Sequence, residues 1–401
     1  MKRLLQLAPL ALAIAASSAS AQSTEDTLAR MQQQLDSMQQ QVNTAKNDRV
    51  RFNGFFSTGV AKSSNDAGFD GITEKTSVAD LSLFALQGTF DVSDKSQAVF
   101  QLVGRGAEDW DPVVEWAYLS YRPMNNLQLR AGKMRLPLFM YSDSLEVGYA
   151  QPWARPPQSV YGPIAVTSYV GADASYNFNF DNSSLTATAF TGFSDEDGNA
   201  GDVKLRNIGG LNLTWTDYIW TVRGIAATAE ADIDATRLGA QAPAGETVNT
   251  VLAAGERGNF FGFGASYDDG NWQIIGEVTR VELEGKFADT DSAYLSVGHR
   301  FGSWTPYAAI GWLESKDDEE RLGVIITNNG TPLAPESILN YQREDYSAGT
   351  RWDITPGVAI KFDITHSRGF DKGAGGVNPS YILSSGTNST NVYTIKLDSA
   401  F

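Results

Sequence analysis

From Val50 to Phe401 apolar residues recur at every second position, and this period of two constrains the fold more than any other feature of the chain. Val170, Ala172, Ala174, Tyr176, Phe178 and Phe180 alternate with Asp173, Ser175, Asn177 and Asn179. Val358, Ile360, Phe362 and Ile364 alternate in the same way with Lys361, Asp363 and Thr365. Successive side chains of a β-strand point to opposite faces, so each segment carries one apolar and one polar face. Sixteen such segments fall near 50–62, 79–92, 96–106, 113–122, 126–135, 168–181, 184–194, 206–216, 218–230, 257–268, 271–284, 291–302, 303–314, 342–354, 356–367 and 390–401.

The connections sort by length. Short turns such as Pro123-Met124-Asn125, Asp181-Asn182-Ser183, Asp268-Asp269-Gly270, Gly302-Ser303 and Pro356-Gly357 follow the even segments. Most long insertions, 63–78, 136–167, 231–256, 315–341 and 368–389, follow the odd ones. An even strand count with tight turns at one rim and long loops at the other is the pattern of a transmembrane β-barrel. A soluble sandwich alternates too, but it does not sort its loops to one end and both termini to the other. Aromatic pairs beside the short turns, Trp215 with Tyr218, Tyr267 with Trp272 and Phe301 with Trp304, suit the headgroup level of a bilayer. The fold expected is therefore all-β, a sixteen-stranded antiparallel transmembrane barrel over 50–401.

Ahead of the barrel, Lys2 and Arg3 precede an apolar run from Leu4 to Ala16 and then Ala19-Ser20-Ala21, the order of a secretory signal peptide over 1–21 cleaved near Ala21. Residues 22–47 lack Gly and Pro, and Leu28, Met31, Leu35, Met38, Val42 and Ala45 recur at spacings of three and four. That spacing predicts a short periplasmic coiled-coil helix, stable only where the barrel brings several copies together. A single amphipathic helix lying on the barrel, or a disordered segment, is the other reading. No later stretch has the ~18 consecutive apolar residues of a membrane-spanning helix, so the mature chain is either soluble or a barrel.

The formal charge of −16 becomes −18 when Lys2 and Arg3 leave with the signal, which argues against a nucleic-acid partner. Cysteine is absent, removing disulfides, thiolate metal sites and a Cys nucleophile; no cofactor or metal is expected. Only His299 and His366 are present, both at lipid-facing positions by parity, and neither a Gly-x-Ser-x-Gly elbow nor a His-Glu-x-x-His helix occurs, so no enzyme is expected.

The chain finishes Tyr393, Ile395, Leu397, Ser399, Phe401, and this last strand resembles the signal by which outer-membrane barrels are recognised for insertion. Arg130-Ala131-Gly132-Lys133-Met134-Arg135-Leu136-Pro137 with Tyr149-Ala150-Gln151-Pro152-Trp153-Ala154-Arg155-Pro156-Pro157 resembles the fifth strand and constriction loop of trimeric Gram-negative porins. A coiled coil before a sixteen-stranded barrel further resembles the dicarboxylate-type (DcaP-like) porins. The resemblance implies a homotrimer in outer-membrane lipid, after export from a Gram-negative cell, passing small hydrophilic solutes by passive diffusion. Tethering of the membrane to the cell wall through the helical extension is the alternative function.

A barrel of sixteen strands is too wide for its own side chains to fill. The loop 136–167, stiffened by Pro137, Pro152, Pro156, Pro157 and Pro163 and rich in apolar groups, is the segment expected to fold inward as a constriction. Parity turns Arg105, Arg130, Arg223, Arg300, Arg351 and Lys361 to the lumen, along with Asp173, Glu277, Asp345, Asp353 and Asp363. The candidate constriction residues are Arg105, Arg130 and Arg155, with Lys133 and Arg135 at a strand end, opposed by Asp143 and Glu146. Converging arginines would favour small anions, such as the dicarboxylates that the DcaP-like resemblance implies; charges balanced by neighbours would give weak selectivity.

Overall fold

The computed structural model describes residues 49–164, 166–197, 202–234, 251–318, 326–328, 331–333, 340–371 and 373–401. The signal peptide expected at 1–21 and the coiled coil expected at 22–47 lie outside the described residues.

Sixteen strands form one closed barrel. In chain order they are β1 (Val50–Ser63), β2 (Leu83–Ser93), β3 (Ser96–Arg105), β4 (Pro112–Met124), β5 (Leu127–Arg135), β6 (Ser168–Asn179), β7 (Ser184–Asp197) and β8 (Asp202–Thr216). They continue as β9 (Trp220–Asp234), β10 (Val251–Asp268), β11 (Trp272–Leu283), β12 (Thr290–His299), β13 (Trp304–Ser315), β14 (Gln342–Thr355), β15 (Val358–Arg368) and β16 (Ser389–Ala400). Every strand pairs antiparallel with its sequence neighbours, and β1 pairs with β16 from Phe55↔Ala400 to Ser63↔Val392, so the barrel sheet has no free edge. A separate antiparallel ribbon joins Ile326–Asn328 to Thr331–Leu333.

The strand count agrees with the alternation in the sequence, and the differences lie at the ends. Residues Ala79–Leu81 form a 3-10 turn, and β2 begins only at Leu83. The amide of Asp80 bonds to Ser77 Oγ, whose hydroxyl donates back to the Asp80 carboxylate, a local pattern that competes with the extended ladder. Strands β8, β9 and β10 reach further than the apolar alternation does. Their loop-side ends carry cross-strand ion pairs, Lys204 to Asp195 at 3.2 Å and Arg206 to Asp232 at 2.6 Å, which stand in water.

The outward positions form the apolar belt: Phe84, Leu119, Leu211, Phe263, Leu295 and Ile364 are all exposed. At the short-turn rim Trp220 meets Tyr267 at 4.8 Å between ring centroids, and Trp304 stacks on Trp352 at 5.2 Å. His299 sits there between the rings of Trp272 and Phe301, and His366 hydrogen-bonds Asn391 at 2.9 Å. The tight turns depend on left-handed backbone, as at Gly302 (φ 62°) and Gly357 (φ 82°). The buried core lies inside the barrel, where residues 136–167 pack against the inner wall.

Candidate functional site

The chain leaves β5 at Arg135, crosses the interior and returns at Ser168. Apolar side chains fix it to the wall. Leu138, Phe139, Trp153, Val160 and Tyr161 are buried against inward residues Ile225, Phe260, Ile275, Tyr294 and Tyr307. Phe139 meets Phe260 edge-on at 5.5 Å and Trp153 meets Tyr294 edge-on at 5.6 Å, the perpendicular arrangement aromatic quadrupoles prefer.

A segment without regular secondary structure must find partners for its backbone, and here the wall supplies them. Arg223 on β9 donates to the carbonyls of Pro137 and Phe139. Glu277 on β11 accepts from the Met140 amide at 2.8 Å and the Tyr161 hydroxyl at 3.0 Å. The Trp153 indole donates to Ser296 on β12 at 2.8 Å. Arg343 and Arg351 on β14 donate to the carbonyls of Gln158 (3.0 Å) and Tyr149 (2.5 Å). Lys361 on β15 donates to the carbonyls of Gly148 (2.6 Å) and Trp153 (2.8 Å) and pairs with Asp398 on β16 at 2.9 Å. Glycine is required where the loop presses closest: a Cβ at Gly148 would overlap the Asp398 carboxylate, and one on the wall at Gly311 would overlap Ser159.

Opposite these anchors the loop meets β3, β4 and β5 through charge. Glu146 accepts from Arg105 at 2.6 Å and from Arg135 at 2.9 Å; Glu115 pairs with the same two arginines at 2.5 and 3.2 Å. Two cations and two anions thus alternate in a compact group that joins the loop to the wall. Glu115 escaped the sequence analysis because β4 carries a bulge. The β3–β4 register slips at Gln101/Leu102, leaving Glu115 as the extra residue, so strict parity fails and its carboxylate is buried inward. The signal was present in Val113-Val114-Glu115, where two apolar residues in succession break the alternation.

The remaining candidates distribute around this group. Arg130 pairs with Asp173 at 2.7 Å and lies 5.4 Å over the Tyr118 ring, with Asp143 exposed on the loop and near enough to act on it electrostatically. Lys133 stands opposite Ala117 in the β4–β5 ladder, close enough to act on Glu115. Arg155 joins the β1–β2 loop, where its guanidinium binds the Asp70 carboxylate at 2.5 Å and the Asp70 carbonyl at 2.9 Å. Burial of Asp70 outweighs the pull of Arg155 and Arg343 and, with Asp345 and Asp363 adding to the rise, pushes its carboxyl up to about 6. Arg105, Arg130 and Arg155 share no carboxylate; each is held by its own. Arg223, Arg351 and Lys361 lie beneath the loop as its anchors, whereas Arg300 pairs with Asp268 at 2.5 Å beside a short turn. Among the described residues no cluster of metal-ligating side chains occurs.

The architecture has counterparts. A family model described as Gram-negative porin matches residues 8–318. A loop-deletion mutant of OmpT, an outer membrane protein of Vibrio cholerae, is similar in structure with a TM-score of 0.57 at 12% identity, covering 88% of this chain and 100% of that one. An anion-selective porin from Comamonas acidovorans gives 0.54 at 15% identity over 88% and 99%. The trimer form of the Vibrio cholerae OmpT gives 0.53 at 12% identity over 88% and 99%. No curated protein sequence matches significantly.

Proposed function

Because the chain belongs to the Gram-negative porin family, whose model covers residues 8–318, we propose that this outer-membrane channel carries small hydrophilic solutes by passive diffusion and works as a homotrimer. One observation carries the reading: a closed barrel too wide to fill itself is narrowed by residues 136–167, which are anchored on one wall by Arg223, Glu277, Arg351 and Lys361 and joined to the other by Glu146. A rigid internal loop bordered by paired charges suits a water-filled passage that sorts solutes by size first. The trimer form among the similar structures and the apolar outer belt support the assembly.

In the constriction the arginines are matched by carboxylates, Arg105 and Arg135 by Glu115 and Glu146, and Arg130 by Asp173. Fixed charges balanced this closely favour weak ion selectivity. A preference for small anions such as dicarboxylates is the second reading, favoured by the likeness to an anion-selective porin and by the low-dielectric walls that focus the field of arginine.

The test is planar-bilayer recording of the purified protein in a KCl gradient. Stepwise conductance in threes supports a trimeric diffusion channel, and absence of conductance overturns it. Replacing Arg105, Arg130 and Arg155 together by Gln should move the reversal potential toward cations; an unmoved potential discards the anion preference.

A further inference from the structure

The inner wall is polar where β14, β15 and β16 carry Asp345, Asp363 and Asp398, but the loop-side half of β8 to β11 is not. There Leu205, Ile208, Ala229, Phe260 and Val281 line a half-open cavity of about 160 Å³. Its floor is the constriction loop itself, through Leu138 on the outgoing limb and Ile164 on the return. Thr228, Asn259 and Glu282 border the cavity too, yet they stand at outward strand positions and contribute backbone. The space exists because the inward positions of β9 at this level are Ala227, Ala229 and Ala231, which leave the wall set back from the loop.

A hydrophilic passage has no use for an apolar hollow of this size, since water there forgoes hydrogen bonds. An apolar cavity of ~150 Å³ takes up one benzene molecule. The cavity is lined from the inner face of the strands, and the outward positions at its level are the polar Thr228, Asn259 and Glu282, so its ligand is one that reaches it from inside the barrel. We propose that this cavity is a binding station for small water-soluble molecules that carry a ring or a branched alkyl group of about six carbons, with the ring seated against Phe260 and the polar end left in the lumen. The sign of the polar end is not selected, because no charged side chain among the described residues turns into the cavity. Such a station would raise the local concentration of ring-bearing solutes on the loop side, directly above the constriction, and so deepens the channel reading on which it rests.

The experiment uses full-length protein in lipid nanodiscs and in planar bilayers, with benzoate and benzylammonium as ring probes and acetate and methylammonium as controls. Saturation-transfer NMR should show ring contact for both aromatic probes and for neither control. Both aromatic probes should also block the current from the loop side. Ala229→Phe, which fills the space from the wall, should weaken binding and block about tenfold while conductance in KCl persists; Ala231→Leu is the milder second variant, and heat-modifiable migration shows that each still folds. Acetate binding as well as benzoate, or Ala229→Phe leaving ring contact unchanged, overturns the proposal. So does ring binding that appears only after deletion of residues 235–250, which would give the cavity to the chain's own loop. The NMR arm is independent of conduction, so ring contact in a protein that passes no current would sink the channel reading and spare the station.

Discussion

Lys361 and Asp398 form an ion pair with both side chains out of contact with solvent, and the lysine also holds two carbonyls of the constriction loop. Two charges stripped of water are tolerable only because each is matched. Lys361→Met should cost toward the lower end of the ~3–5 kcal/mol typical of a broken buried pair, since Lys396 still reaches Asp398 at 3.2 Å. The checks are a lower thermal transition and a higher, noisier single-channel conductance as Gly148 and Trp153 lose their donor. Asp70 makes the second prediction. Its folded carboxyl titrates near 6 against an ordinary 3.8, so the folded state holds the proton more tightly, and the stability this group contributes is present below about pH 4 and is lost as pH rises through about 6. Asp70, acted on by Arg155, Arg343, Asp345 and Asp363, gains one negative charge over that window. Going from pH 7 to pH 5, the reversal potential should therefore move toward anions, and Asp70→Asn should start from the anion side and flatten that step. Neither residue's role was readable from the sequence. Parity turns Lys361 inward but cannot say that a loop 210 or so positions away in sequence covers it, and Asp70 lies in an irregular loop where no period applies.

At the scale of elements, the strands were legible because each must solve the same problem, lipid on one face and lumen on the other, and the solution repeats every two residues. Bulges were not, since one extra residue inverts the parity beyond it, and Glu115 is buried for that reason. The constriction loop stood between these cases. Its prolines and apolar residues marked it as unsuited to an exposed flap, but the carbonyl-by-carbonyl anchoring by Arg223, Arg343, Arg351 and Lys361 depends on geometry that no spacing encodes. Trp153→Ala removes a buried indole and its bond to Ser296, a change of about 3–5 kcal/mol for this class of substitution. Because the sixteen-strand ladder does not involve that residue, the β-type circular dichroism should stay as it is while conductance rises and the permeability cut-off in liposome swelling moves to larger sugars. A globally unfolded Trp153→Ala protein would mean that loop and barrel fold as one unit.

At the scale of the whole molecule, everything rests on closure of the sheet between its first and last strands. Phe401 extends that seam by one residue: its amide donates to the Gly54 carbonyl at 2.9 Å, and the Gly54 amide donates to its carbonyl at 2.8 Å. Its ring lies over Gly54, where a Cβ would overlap it, and stacks on Phe84 at 6.5 Å. Small residue and large ring are thus complementary across the junction where an open barrel would expose unpaired backbone to hydrocarbon, at a cost of several kcal/mol per group. Deleting Phe401 removes both hydrogen bonds and the ring, whereas Phe401→Trp keeps the bonds and a comparable aromatic surface. On refolding into detergent, the deletion should give a markedly smaller heat-modifiable fraction, Gly54→Val should show the same defect from the other strand, and Phe401→Trp should fold nearly as well as the parent. Equal folded fractions for all of these would mean that the register from Phe55↔Ala400 to Ser63↔Val392 closes the barrel unaided.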